Sequence, residues 1–146
     1  MNRDIKFRGY ARYHNKWVYG YLIKTQNSWG DEFEIVEEYG IEHVDGWEYS
    51  GQSFIVEADS IGQYTGLKDN NGNEIYEGDI LKIAYHDDYN YKIVGEVTWN
   101  DKAYFEFRDK IGGQPLMNLF TCYGATKGEM EVIGNTFEAS KKEGQK

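Results

Sequence analysis

Thr65-Gly66-Leu67-Lys68-Asp69-Asn70-Asn71-Gly72-Asn73-Glu74-Ile75-Tyr76-Glu77-Gly78-Asp79-Ile80-Leu81 is the most tightly written stretch of this 146-residue chain. Asn71-Gly72 tolerates positive φ, so a tight reversal is expected there. Asp69 and Asn70 can bond their own backbone two residues on and close that turn. Glu77-Gly78-Asp79 is a second reversal, immediately before Ile80-Leu81. Two reversals within so few residues leave room for short strands and none for a helix.

Working outward, the same grammar recurs. Downstream, residues 75–85, 93–99, 103–108 and 131–137 read as strands, with Gly95 a candidate bulge. Residues 116–123 fit either a strand or a single helical turn. Upstream, residues 5–13 alternate with period two. Ile5, Phe7, Gly9, Ala11 and Tyr13 fall on one face, and Lys6, Arg8, Tyr10 and Arg12 on the other. A short turn at 14–16 leads to a returning strand at 17–23. Residues 26–32 read as a polar loop. Short strands follow at 33–36, 39–44, 46–49 and 53–57, and residues 61–64 read as a connector. Residues 139–146 read as a polar, disordered tail. Frequent turns between short strands predict an all-β chain built of small barrels or sandwiches.

Composition agrees. Aromatic residues make up 16% of the chain, against 17 Gly and one Pro. Aromatics favour strands and bury large areas, and glycine serves tight turns. The single cysteine, Cys122, excludes an internal disulfide framework and a Cys-rich zinc site. Residues 1–6 carry charge where a signal peptide would be apolar, and no run approaches the length of a membrane span. A cytoplasmic protein with no membrane partner is expected.

Charge is segregated. Residues 1–24 hold six Lys or Arg, whereas residues 25–67 hold none and carry ten acids. The net charge is −9. Phosphate neutralisation supplies most nucleic-acid affinity, so this balance argues against nucleic acid as a partner. The basic first strand is the local exception.

The central segment also carries a resemblance. Ile5-Lys6-Phe7-Arg8, then Ile61-Gly62-Gln63-Tyr64 running into residues 65–81, then Gly95-Glu96-Val97 and Glu131-Val132-Ile133-Gly134-Asn135, resemble the successive blocks of the YopX-like family of phage and prophage proteins. The resemblance spans about residues 5–138. It implies an N-terminal all-β part of complex topology, residues 1–63, and a C-terminal SH3-like β-barrel, residues 64–138. It also implies a phage or prophage origin in a bacterial host cell. It supplies no catalytic residue, cofactor or established activity. The acidic stretch 25–59 matches no block and reads as a variable region.

Each candidate chemistry has a plainer reading beside it. Asp69, Asn71 and Asn73 occupy the first, third and fifth positions of an EF-hand loop. However, Glu74 stands where that loop needs Gly, and Ile80 where it needs a bidentate Glu. A hairpin turn is the better reading. His14, His43 and His86 lack metal-ligand spacing, and His86-Asp87-Asp88 reads as an exposed loop. Cys122, among Phe120, Thr121 and Tyr123, reads as a small buried hydrophobe. No Walker loop, Rossmann fingerprint or nucleophile elbow occurs. No catalytic, cofactor-binding or metal residue is therefore expected, and the chain is read as a non-enzyme.

The acidic stretch carries most functional content. Its plain reading is solvation. Its functional reading is a negative surface that steers a basic host or phage protein. Trp29, Glu37, Glu38, Glu42, Trp47, Glu48 and Tyr49 are the candidate partner-binding residues. The alternative is an accessory nucleic-acid-binding protein using Lys6, Arg8 and Arg12. Unpaired strand edges leave homo-oligomer formation open.

Overall fold

The computed structural model describes residues 4–37, 51–85, 88–109, 115–119 and 129–144. They are mostly antiparallel strand, as the alternation and turn chemistry predict. The chain divides into two compact units, Asn2–Gln63 and Tyr64–Lys146.

The N-terminal unit contains β1 (Phe7–Ala11), β2 (Lys16–Asn27), β3 (Gly30–Glu37), β4 (Gln52–Ile55) and the first residues of β5 (Gly62–Lys68). They are ordered β4-β3-β2-β1-β5. The register pairs Gly9 with Val18 and Leu22 with Ile35. Directly opposed residues share a face. One face therefore collects Ala11, Val18, Ile35, Phe54 and Val56, with Phe7, Leu22, Phe33 and Ile61 packed against them. An isolated bridge, Ala11 to Val56, brings the chain after β4 back to β1. Arg12 N–H donates to the Ile55 carbonyl and Glu57 N–H to the Tyr10 carbonyl, both at 3.0 Å. Gly9 lies beneath this crossing, where an added Cβ would stand 2.8 Å from Val56.

Three local expectations need correction here. The loop expected at 26–32 contracts to Ser28-Trp29, because β2 runs to Asn27 and β3 starts at Gly30. Polar residues take strand geometry readily where both faces of a ribbon meet water. The connector expected at 61–64 is instead the start of β5, pairing Gly62 with Arg8 and Gln63 with Phe7. Ile5 and Tyr13 lie beyond β1 and are exposed rather than on the core face. The strands expected at 39–44 and 46–49 lie outside the described residues.

The C-terminal unit continues β5 and adds β6 (Glu74–Tyr76), β7 (Asp79–Tyr85), β8 (Asp88–Trp99), β9 (Phe105–Asp109), β10 (Pro115–Asn118), β11 (Met130–Asn135) and α1 (Thr136–Glu143). Five of these strands form one sheet, ordered β10-β9-β8-β7-β11. Its core is Ile75, Leu81, Ile83, Val97, Phe105, Phe107, Leu119 and Met130. Among the described residues no ladder joins the edge strands β10 and β11, so this sheet does not close. The strand at 75–85 is split by Glu77-Gly78 into β6 and β7.

The segment 65–81 ties this unit together. Gly72 has φ +82° and donates to the Asp69 carbonyl at 3.1 Å, so the reversal runs from Asp69 to Gly72, with its glycine and not Asn71 at positive φ. Gly78, at φ +89°, makes the second reversal. Its N–H donates to the Val97 carbonyl and its carbonyl accepts from Thr136 N–H, each at 2.8 Å. The Thr65 hydroxyl donates to the Ile75 carbonyl at 2.8 Å.

The tail expected at 139–146 is corrected by α1, which covers most of it. The Asn135 side chain accepts from Glu138 N–H at 2.9 Å and caps the first turn. Glu138 in the first turn and Lys141 and Lys142 in the last complement the helix dipole. Capping and charge placement make a short helix out of a stretch whose polarity alone suggests disorder.

Candidate functional site

Two places in the described chain concentrate polar side chains, and they behave differently. The first is the Asp69 turn. Asp69 is buried. Its Oδ1 accepts from Asn71 N–H at 2.9 Å and Asn73 N–H at 2.8 Å. Its Oδ2 accepts from Val132 N–H at 3.0 Å and Asn73 Nδ2 at 3.3 Å. Burial opposes ionisation, but the donors from Val132, Asn73 and Asn71 outweigh it and hold this carboxyl below its ordinary pKa. Both oxygens are thus committed to the fold, which makes the turn a staple between the β5–β6 hairpin and β11. Among the described residues no three His, Cys, Asp or Glu side chains gather as a metal site would need.

The second is the tip and flank of the β2–β3 ribbon. Its seven-pair register runs from Tyr21–Val36 to Asn27–Gly30. Asn27 Oδ1 accepts from Trp29 N–H at 2.9 Å, an Asx turn that needs no partner from elsewhere in the fold. Trp29 stands at the tip, 95% exposed. Lys24 of β2 stands among the acids of β3. Lys24 Nζ lies 2.9 Å from Asp31, and Arg12 Nε lies 3.4 Å from Glu57. Hydrogen bonds to Tyr13 and Glu57 raise the Arg12 pKa. The charge segregation of the sequence is therefore partly undone by strand pairing. The Ser53 hydroxyl donates to the Glu34 carboxylate. Glu32, Glu37 and Asp59 carboxylates have no ionic partner among the described residues. A groove of about 280 Å³ opens beside the ribbon, lined by residues that include Arg12, Trp29, Asp31, Phe33 and Val56.

Of the partner-binding residues expected from sequence, the structure places Trp29 at this tip and Glu37 at the last position of β3, opposite Gln52. Glu38, Glu42, Trp47, Glu48 and Tyr49 lie outside the described residues, as do Cys122, His43 and His86. The remaining histidine, His14, rests edge-on against Phe54 at 4.9 Å between ring centroids. The basic strand face is less available than its alternation suggests. Arg8 is only 7% exposed, with its guanidinium 4.9 Å from the Trp17 ring centroid.

Compared with known proteins, residues 6–142 match the model of the YopX protein family. The chain belongs to the YopX family. A crystal structure of protein EF1440 from Enterococcus faecalis is similar with a TM-score of 0.54 at 23% identity, covering 95% of this chain and 97% of that one. At that identity the likeness shows a shared fold. No curated protein matches. The family membership expected from the blocks at 5–8, 61–81, 95–97 and 131–135 is thereby shown.

Sequence reading missed one feature of this YopX-family chain. Tyr19, Tyr21 and Ile23, successive residues of one face of β2, are 45%, 51% and 43% exposed. The signal was present but unreadable by periodicity. Residues 17–23 are apolar at every position but Gly20, so nothing marks which face meets solvent.

Proposed function

We propose that this YopX-family chain is a phage- or prophage-encoded cytoplasmic protein that acts without catalysis, by contact with a host or phage protein. The carrying observation is Trp29. A large aromatic held at 95% exposure on a self-closed turn, close in sequence to the Glu32 carboxylate, which has no ionic partner among the described residues, suits an interface anchor in a negative field. The C-terminal unit reads as an SH3-like barrel. In its favour, the final strand β11 pairs beside β7, the first strand of the meander. In this reading that unit is scaffold, because the polar groups of its central turn are internally satisfied.

The test is affinity capture from host lysate. The baits are wild type, Trp29→Ala, and Glu37→Lys/Glu38→Lys/Glu42→Lys. A specific partner lost from the variants is expected. A wild type that retains none, or variants that retain the same set, would defeat the reading. The alternative, nucleic-acid binding through β1, has less in its favour, since Arg8 is buried and Arg12 is tied to Glu57. A salt-dependent gel shift at low ionic strength would revive it.

A further inference from the structure

β2 is an inner strand of the N-terminal sheet, with β1 on one side and β3 on the other. The register sets Tyr21 beside Val36, Ile23 beside Glu34 and Thr25 beside Glu32. These residues lie on the face turned away from the core cluster, because Leu22, Phe33 and Ile35 pack into it. An antiparallel sheet that turns one face to water normally carries polar side chains there. This face instead presents Tyr19, Tyr21 and Ile23, each close to half-exposed, from an inner strand. Scattered exposed apolar residues are ordinary, but a contiguous row marks a docking surface.

The charge beside that row indicates what docks. Glu32 and Glu34 stand on the same face. The Glu32 carboxylate has no partner among the described residues, and Glu34 accepts only from Ser53 there. On this face Arg8 stands opposite Tyr19, at the other end of the row, and is buried, while Lys24 is paired with Asp31. A second copy of this chain would bring another net charge of −9 to the contact, which like-charge repulsion disfavours.

We infer that the outward face of the β2–β3 ribbon binds a basic, apolar-anchored segment of a protein partner. Tyr21 and Ile23 receive its apolar side chains, and Glu32 and Glu34 pair with its lysines or arginines. This rests on the interaction reading above and names the partner's chemistry and its place on the molecule.

The probe is a short synthetic peptide alternating Val and Lys. Val/Glu and Ser/Lys peptides serve as controls, each titrated into the full ¹⁵N-labelled chain at low and high salt. Amide shifts confined to Tyr19–Thr25 and Glu32–Val36 are expected with Val/Lys alone, weakening as salt rises. Tyr21→Ser/Ile23→Ser and Glu32→Lys/Glu34→Lys should each weaken binding about tenfold, while Tyr21→Phe binds as wild type. Shifts elsewhere, or equal binding of the Ser/Lys peptide, would overturn the proposal. So would a dimer in light scattering that Tyr21→Ser abolishes. Should the double serine variant melt early by circular dichroism, the wild-type shift map and Tyr21→Phe still decide. The lysate capture separates the two claims. A partner kept by Tyr21→Ser/Ile23→Ser but lost by Trp29→Ala overturns the ribbon placement and leaves the interaction reading standing. A wild type with no partner, but with the expected peptide map, defeats the host-partner reading alone.

Discussion

The turn at Asp69 and the turn at Asn27 use the same local device. In each, a side-chain oxygen accepts the backbone N–H two residues on, at 2.9 Å. They end in opposite circumstances. Asp69 gains a long-range donor, Val132 N–H, and is sealed inside the C-terminal unit. Asn27 holds its own turn and leaves Trp29 in water. The more site-like sequence, rich in Asp and Asn, became structure. The plainer one became surface. Local turn chemistry states that a chain reverses, and tertiary donors decide whether the reversing groups remain available.

Substitutions can break this contrast, and the largest effect belongs to Asp69. Asp69→Ala leaves three backbone donors without their acceptor and should cost about 3 kcal/mol in urea unfolding. Next comes Gly9→Ala, which forces a Cβ to within 2.8 Å of Val56 and should cost about 2 kcal/mol. The pH dependence sharpens the contrast further. The Asp69 pKa is lowered on folding. Its contribution is therefore fully present above the unfolded carboxyl value of about 4 and is lost as pH falls through the folded value. Unfolding free energy of the wild type should drop more steeply below pH of about 4 than that of Asp69→Asn, measured by urea titration across that range. At the small end, Lys24→Met removes a surface ion pair with Asp31 and should change stability by less than about 0.5 kcal/mol. Trp29→Ala should leave the melting temperature unchanged within error while removing the captured partner.

The comparison also explains what sequence could reveal. Period-two alternation located β1, and the Asn-Gly dipeptide located the reversal at residue 72, because both are short-range. The failure of Glu74 and Ile80 to fit a calcium loop was equally legible. The Val132 contribution to Asp69 was not, since it lies 63 residues away and involves only a backbone N–H. The extension of β2 and β3 into a polar stretch was hidden as well, because Thr25, Gln26, Asp31 and Glu32 read as loop until they face each other across a ribbon. For the candidate site, acidity and the presence of Trp29 were readable. Its exposure was not, nor was the outward row of Tyr19, Tyr21 and Ile23.

The hydrogen bond from Val132 to Asp69 also bears on the order of events in synthesis. The β2–β3 ribbon closes a two-residue loop and can form as soon as Glu37 has left the ribosome. The Asp69 carboxylate, by contrast, stays solvated until residues 130–132 have been made. Closing that long loop is entropically slow, and until then β7 offers an open edge where β11 will lie. The β2–β3 ribbon thus completes its pairing from a local stretch of chain, whereas the Asp69 turn and the β7 edge wait on residues made much later, and that edge is open to mispairing in the interval.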